Sequence, residues 1–566
     1  MTMQDIPRSL IEELSQVSSR IEMEYARPAG GRMVRVEVDG MENPFAELEG
    51  MRGIGAGAGV SGAFSIEKFA TAGGLTYTHE DAQGWLTYLA KFNPNNFWYK
   101  DGGVQPWSYY EDYDNWQDTY GMDAVCAVYH SGHGGMTGDG RFVAPLGAGW
   151  GNVAAEAWSD QMRLGNERAR YVFWSTCLSC RVLDGQTPYR TWTGANLGFR
   201  MLFGYETVSW DNPNYGSAFW KHWNQGKSFS TAWMDASWYD VAHDQAPSAA
   251  AWGGSQAEAN DRVFNERYLY GGQVSRDWAA WRWYWPASSA TARRQPNLQL
   301  PSSLLVAALA RPMVDEGYVE EVLSRHDAPV SGAMREVRSG AGRGFRASEG
   351  DARVSVSPEG TYEIDFARPN LENPTRVPIQ QAVRTAHDFA RQQGLDSNGL
   401  VFDRVLLKSA ASGTEKGSGE LTEPRVTETV VQFTQVINGL PVLGPGPGQA
   451  SVSVDNDGRV TAIRNGTRQI EQLTDRALSA PPAPGAEPAP PTTDPERALA
   501  DAWQERLRMW VVRDTMPISF TEIPGSAEIG YVIRDDQATL VARKDVEADF
   551  GGGFLKRYRV EVPIVE

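Results

Sequence analysis

Two apolar runs that end in reactive side chains constrain the fold of this chain most strongly. The run 124–129 leads into His130 and His133, and the run 171–174 leads into Cys177. Runs that are apolar at nearly every position are typical of strands buried on both faces of a parallel sheet. Because open α/β sheets carry their chemistry beyond the carboxyl ends of the strands, we expect His133 and Cys177 to meet at one sheet edge.

A histidine and a cysteine that meet in this way have a defined chemistry. An imidazole beside a thiol supports the thiolate, which is the nucleophilic form of cysteine. The segment 156–168 is predicted to be the crossover helix that a right-handed βαβ unit requires. Cys177 follows its strand directly, so the sequence favours Cys177 as nucleophile and His133 as base over the neighbouring Cys180 and His130.

The same residues allow other interpretations. His130, His133, Cys177 and Cys180 have the ligand types and short spacings of a tetrahedral zinc site, so zinc is the alternative to a site without a cofactor. A Cys-x-x-Cys pair also occurs in redox proteins, but no companion thioredoxin-like motif is recognisable. A further alternative is a catalytically inactive binding protein whose cysteines are buried and inert.

The order of these motifs resembles a known family. A strand that ends in His133-Gly134, followed by a strand that ends in Thr176-Cys177, is similar to the caspase-like fold of clan CD cysteine peptidases, over about Phe64 to Trp285. The caspase signature Gln-Ala-Cys-x-Gly is replaced by Ser-Thr-Cys-Leu-Ser, so the match is to fold and dyad layout, in a poorly characterised bacterial family. The resemblance implies an α/β three-layer sandwich with a mostly parallel sheet and a cysteine endopeptidase.

The resemblance also implies roles for further residues. Gly134 and the backbone amide of Cys177 would stabilise the oxyanion, as they do in the family. The segments that would line the pocket for the P1 residue carry Asp184, Glu206 and Asp211. A carboxylate there would favour Lys or Arg at P1 by charge pairing, and the alternative is that these are solvated loop acids.

The second half of the chain has a different pattern. Alternating strands are joined by the turn signals Asn438-Gly439 and Asp457-Gly458. The segments 430–442 and 450–463 are similar to the FTP and PepSY propeptide modules of thermolysin-like proteases. This resemblance implies α+β cystatin-like units that dock within the same chain and restrain or assist the first domain.

Shifts in composition predict the domain boundaries. The predicted segments are an N-terminal helix and Gly-rich linker (1–62), the caspase-like domain (63–290), a connector (291–374), a propeptide-like α+β unit (375–478), a Pro-rich linker (479–494) and a second α+β unit (495–566).

The composition of the chain restricts the classes of partner and the cellular location that we expect. A net charge of −18 argues against nucleic acid or an anionic membrane as the main partner, so we expect a protein or peptide substrate. Three cysteines do not make a disulfide framework. No apolar run is long enough to span a membrane and no signal peptide is visible, which predicts a cytoplasmic protein, or a secreted one if a leader is missing.

Overall fold

The computed structural model describes residues 23–24, 34–38, 41–48, 59–287, 298, 300–301, 303–339, 342–475, 494–513 and 516–564. The chain forms two compact units. The larger unit comprises residues 43–310, 369–461 and 465–566, and the smaller unit comprises residues 1–42, 311–368 and 462–464. Every predicted site residue belongs to the larger unit.

The described chain is rich in strands. In chain order the strands are β1 (Met23–Glu24), β2 (Val34–Val38), β3 (Ser61–Ser65), β4 (Phe97–Lys100), β5 (Ala127–Ser131), β6 (Gly135–Met136), β7 (Phe142–Pro145), β8 (Glu156–Trp158), β9 (Tyr171–Ser175), β10 (Met201–Tyr205), β11 (Pro247–Gly253), β12 (Trp278–Pro286), β13 (Leu305–Leu309), β14 (Met334–Ser339), β15 (Gly342–Glu349), β16 (Ala352–Val356), β17 (Tyr362–Asp365), β18 (Leu400–Gly413), β19 (Arg425–Ile437), β20 (Leu440–Pro441), β21 (Gln449–Asp455), β22 (Val460–Asn465), β23 (Ile470–Asp475), β24 (Ser519–Glu522), β25 (Glu528–Arg534), β26 (Gln537–Asp549) and β27 (Leu555–Pro563).

Helices cover a smaller share of the described chain, and side-chain caps fix where several of them begin. The helices are α1 (Thr78–Leu89), α2 (Asp114–Tyr120), α3 (Pro188–Trp192), α4 (Tyr215–Trp223), α5 (Phe229–Asp235), α6 (Gln256–Asn265), α7 (Glu316–Arg325), α8 (Ile379–Gln392) and α9 (Pro495–Arg513). Thr187, Ser228 and Ser255 each accept a hydrogen bond from a backbone N–H in the first turn of α3, α5 and α6. Such caps satisfy donors that the helix itself leaves free.

The main sheet of the larger unit has a parallel part and an antiparallel part. Its strand order is β4-β3-β5-β9-β10-β11-β12-β18-β19-β21. The pairs from β4 to β10 are parallel, and the pairs from β10 to β21 are antiparallel. The parallel part contains β5 and β9, which are the two apolar runs that precede His133 and Cys177.

The predicted fold class, a caspase-like three-layer sandwich followed by cystatin-like units, is wrong. Of the residues that the structure describes, 35% are in strands and 23% in helices, and the large sheet is mixed rather than mostly parallel. Strand β12 pairs along its length with β18, so the sheet continues directly into the C-terminal half. The error has a physical cause: apolar periodicity identifies a buried strand, but the partner of that strand is chosen by packing between distant segments.

The predicted crossover helix over residues 156–168 is also wrong. Residues 156–158 form β8, and the chain beyond them is irregular. The buried carboxylate of Asp123 organises this region, because it accepts hydrogen bonds from the backbone N–H groups of Gly165, Glu167, Arg168 and Ala169. A buried acceptor replaces the hydrogen bonds that a helix would have supplied.

A second, six-stranded sheet completes the larger unit. Its central strand β26 pairs with β13, β24, β25 and β27, and β13 also pairs with β23. Trp503 and Trp510 of α9 pack in the core beneath this sheet. Phe69 packs against this core and against the aromatic core of the main sheet. The two sheets therefore share one packed region in the larger unit.

The smaller unit is built around β2 and β14, which pair in parallel. Strands β14 to β17 then pair in sequence as antiparallel neighbours. Of the predicted segments, most of the N-terminal helix and linker (1–62) and nearly all of the Pro-rich linker (479–494) lie outside the described residues. The predicted domain boundaries stay predictions. None of the helices described is long and apolar enough to cross a membrane.

Candidate functional site

Strands β5 and β9 bring the predicted dyad together. They are parallel neighbours, and Ser131 lies opposite Ser175 at their carboxyl ends. Just beyond, the backbone N–H of Gly132 donates to the carbonyl of Ser175 over 3.4 Å. His133 and Cys177 each follow two residues after these strand ends, so they reach the same edge of the sheet, as expected from the sequence.

Gly134 lies directly against the backbone of Cys177. A Cβ atom at residue 134 would stand 2.5 Å from the carbonyl oxygen of Cys177 and 2.9 Å from the Cβ of Thr176. Only glycine fits so close an approach. Among the described residues, no hydrogen-bond acceptor is found for the backbone N–H groups of Gly134 and Cys177.

His133 is fully buried in an aromatic cage. Its ring packs against Phe69, Phe550 and Phe554, at centroid distances of 4.7, 4.9 and 5.8 Å. Its Nε2 lies 3.0 Å from the carbonyl oxygen of Gly73. Because a carbonyl only accepts, Nε2 carries the proton and Nδ1 is the free acceptor, which has no partner among the described residues.

Burial keeps the His133 imidazole neutral. Loss of water around the imidazolium, together with the positive charge of Lys556, lowers the pKa of His133 to about 3, against the raising effect of the hydrogen bond to Gly73. In this state neither ring nitrogen bonds Cys177, because Nε2 is held by Gly73 and Nδ1 is unpartnered.

Cys177 is also buried, and its thiol is hydrogen bonded to a peptide carbonyl. The Sγ atom accepts a hydrogen bond from the backbone N–H of Ser209 over 3.2 Å. It lies 3.0 Å from the carbonyl oxygen of Leu555, to which the thiol donates. Leu555 begins β27, so the C-terminal sheet reaches directly into the predicted catalytic site.

The hairpin between β26 and β27 covers the dyad; we call residues 550–556 the plug. Its turn is made by Gly551, Gly552 and Gly553, all at positive φ, and is closed by the N–H of Phe550 donating to the carbonyl of Phe554. Three consecutive left-handed residues require glycine. This turn places both phenylalanines on the His133 ring and the next carbonyl on Cys177.

Strand β27 also pairs with the chain beside Cys177. The N–H of Arg557 donates to the carbonyl of Ser209 over 3.3 Å, and the N–H of Asp211 donates to the carbonyl of Arg557 over 3.2 Å. Between them, Lys556 is buried and its Nζ donates to the hydroxyl of Ser209 over 2.9 Å. The plug is therefore held by the main-chain pairing of Arg557, which directly follows it, and by the buried ammonium group of Lys556.

The three predicted substrate-binding acids have different surroundings. Asp211 lies at this site and accepts the N–H groups of Thr76 and Tyr77. Its burial raises its pKa, which the charge of Lys556 opposes. Glu206 instead binds Arg181 and two backbone N–H groups, and Asp184 is 82% exposed beside the same arginine. Of the three, Asp211 alone belongs to the segment that pairs with β27.

The zinc alternative also requires His130 and Cys180, and these two residues have surroundings of their own. The Nδ1 of His130 lies 2.8 Å from the hydroxyl of Tyr109, and burial lowers its pKa to about 3. Burial raises the pKa of the thiols of Cys180 and Cys126, to about 12 for Cys126. Among the residues that the structure describes, no group of three or more His, Cys, Asp and Glu side chains is arranged to hold a metal ion.

Asp81 supports the strand ends that carry the dyad, and the sequence did not indicate it. It is buried and accepts hydrogen bonds from Tyr129, Ser131 and the N–H of Gly216. Burial raises its pKa to about 6, against the effect of these donors and of Ser175. An isolated acid in an amphipathic helix carries no local sign that it binds two strands.

The plug was missed as well. The triple glycine at 551–553 between two apolar residues indicates a tight turn, but nothing in the sequence says where that turn docks. Ser209 contributes its hydroxyl and Gly73 its backbone carbonyl, and no sequence motif marks either residue. These residues become part of the site only through packing between distant segments.

Comparison with known proteins adds one finding. Residues 63–288 match the family model described as a domain of unknown function, DUF6345. A search of curated proteins found no match. The matched region contains His133 and Cys177, while the plug lies outside it.

Proposed function

We propose that this protein is a cysteine-dependent hydrolase of peptide bonds, with Cys177 as nucleophile and His133 as base, and that the plug restrains it. One observation carries the proposal: a peptide carbonyl lies 3.0 Å from the Cys177 thiol, in a site where a histidine arrives from the adjacent parallel strand. The proposal needs no cofactor. Its partners are a protein or peptide substrate and the chain's own C-terminal segment.

The chemistry starts when the plug leaves. The Cys177 thiol then loses its acceptor on Leu555, and the free Nδ1 of His133 can take the thiol proton. The carbonyl of Gly73, already bonded to Nε2, stabilises the imidazolium that forms. Opening also admits water and removes Lys556, and both changes raise the pKa of His133 from its closed-state value.

The thiolate attacks the carbonyl carbon of the substrate and forms a tetrahedral intermediate. In this mechanism the backbone N–H groups of Gly134 and Cys177 donate to the oxyanion of the intermediate, an interaction worth about 3 kcal/mol for each donor. The imidazolium returns its proton to the leaving amine, and the thioester is hydrolysed by water that His133 deprotonates. Each proton thus passes through the same ring nitrogen.

A second candidate function is a catalytically inactive binding protein. The closed site favours it, because His133 and Cys177 are buried, apart in hydrogen bonding and covered by the plug. In that case the plug would be a permanent part of the core rather than a restraint.

Peptide turnover by a variant with a weakened plug separates the two functions. Phe554→Ala removes a ring that packs on His133, and Phe520→Ala removes an exposed ring of the same sheet as the control. We expect Phe554→Ala to cleave a fluorogenic peptide library faster than the control, and Cys177→Ala in the same background to abolish cleavage. A Phe554→Ala protein with an exposed Cys177 and no turnover would overturn the hydrolase.

A further inference from the structure

The structure assigns a ligand class to the cleft that the plug fills: an extended peptide that carries a lysine at the position of Lys556. This inference deepens the proposed function and rests on it for the reaction, since it names the substrate class of the same site. The plug is then a built-in copy of that ligand. Three features of the plug support this, namely its backbone pairing, its buried ammonium group and the direction of the neighbouring side chains.

The backbone pairing is of a kind that any extended peptide can make. Residue 557 exchanges two main-chain hydrogen bonds with residues 209 and 211, so β27 adds a strand to that segment. Recognition by strand addition uses main-chain groups for affinity and leaves specificity to the alternate side chains. A peptide without any fold of its own can supply the same N–H and carbonyl groups.

The side chain at residue 556 enters the site. Lys556 is 2% exposed, and its Nζ donates to Ser209 Oγ over 2.9 Å. The charge of this ammonium group stabilises the ionised carboxyl of Asp211, whose two oxygens are fixed by the N–H groups of Thr76 and Tyr77. A hydroxyl acceptor and a fixed, buried carboxylate are the groups that a site for a cation needs.

Burying an ammonium group costs free energy that an apolar side chain would avoid. A plug that only filled space would be better served by methionine or leucine at this position. The neighbouring side chain of Arg557 points elsewhere, to Glu547 and to Asp244, both partly exposed. The site therefore selects for a lysine at the position of residue 556.

Competition by peptides in trans tests this assignment on the full chain. Cys177 in the Phe554→Ala protein is labelled with iodoacetamide, and the rate is read by intact mass and peptide mapping. The probes are the blocked pentapeptide Phe-Leu-Lys-Arg-Tyr, which is the sequence of residues 554–558, and the same peptide with its lysine replaced by methionine or glutamate. Wild-type protein, in which the plug competes with the peptide, is assayed in parallel.

We expect the lysine peptide to protect Cys177 at a concentration about tenfold or more below that of the methionine peptide, as a charge-assisted hydrogen bond would give. Asp211→Asn should reduce this ratio. Equal or better protection by the methionine peptide, or no protection by any of the three, would overturn the assignment.

Peptide cleavage in the same samples keeps this result separate from the proposed function. Lysine-selective protection without cleavage supports the ligand class and contradicts the hydrolase. Cleavage without lysine preference supports the hydrolase and contradicts the ligand class.

Discussion

The Sγ atom of Cys177 lies 3.0 Å from the carbonyl oxygen of Leu555, although 378 positions in the sequence separate the two residues. This contact joins the end of β9 in the main sheet to the start of β27 in the second sheet. It makes access to the thiol depend on the second sheet.

Weakening the plug should expose Cys177. Phe554 is buried on the ring of His133, and loss of a buried phenylalanine ring costs about 3 kcal/mol or more. We expect Phe554→Ala to speed iodoacetamide labelling of Cys177 by about a hundredfold, since opening becomes easier by that free energy. Labelling at the wild-type rate would show that the plug does not control access. Phe520→Ala is the control.

Gly134 should tolerate no side chain. An added Cβ would stand 2.5 Å from the backbone oxygen of Cys177, whereas at Gly138 nothing lies within 4 Å. We therefore expect Gly134→Ala to lower the free energy of unfolding by about 1–3 kcal/mol, and Gly138→Ala to leave it nearly unchanged. Urea denaturation measures both. Equal effects of the two substitutions would contradict the close approach of the two loops.

Asp81 should make stability fall as pH rises. Its pKa of about 6 in the folded state is above the usual 3.8, so the folded state binds a proton that the unfolded state releases. This contribution is complete below about pH 4 and lost as pH rises through 6, a change of about 3 kcal/mol. Asp81→Asn should remove this contribution, so the stability of the variant relative to the wild type should increase as the pH rises from 4 to 7. Exposed Asp184→Asn is the control, and a parallel response of both would contradict the assignment.

His133 should make stability fall as pH falls, which is the opposite of the effect of Asp81. Its folded pKa of about 3 is below the usual 6.5, so its contribution to stability is present above pH 6.5 and lost as pH falls toward 3. Between pH 7 and pH 5 this loss is about 2 kcal/mol. Urea denaturation at the two pH values measures the fall in the free energy of unfolding. This fall should be smaller by that amount in His133→Gln, but not in His387→Gln on the exposed face of α8. An unchanged drop in His133→Gln would contradict the buried neutral imidazole.

The sequence predicted the shared sheet edge of His133 and Cys177 better than it predicted the fold around it. His133 and Cys177 stand at the ends of buried apolar runs, and this local pattern was enough to place them at one edge of the sheet. The pairing of β12 with β18, and the docking of Leu555 on Cys177, depend on contacts between segments far apart in the chain. Such contacts are decided by packing, so neither the mixed sheet nor the plug could be derived from periodicity. Asp211 was predicted from the family resemblance and its charge, and its place in the segment that pairs with β27 became clear only from the structure.

Labelling by an electrophilic peptide tests the central claim most directly, because it reports the nucleophile and its base together. In the Phe554→Ala protein we predict a single adduct at Cys177, which Cys177→Ala abolishes and Cys180→Ala leaves nearly unchanged. His133→Ala should slow labelling at neutral pH far more than His130→Ala, since the paired imidazole sustains the thiolate. An adduct at Cys126 or Cys180, or equal effects of the two histidine substitutions, would contradict the account.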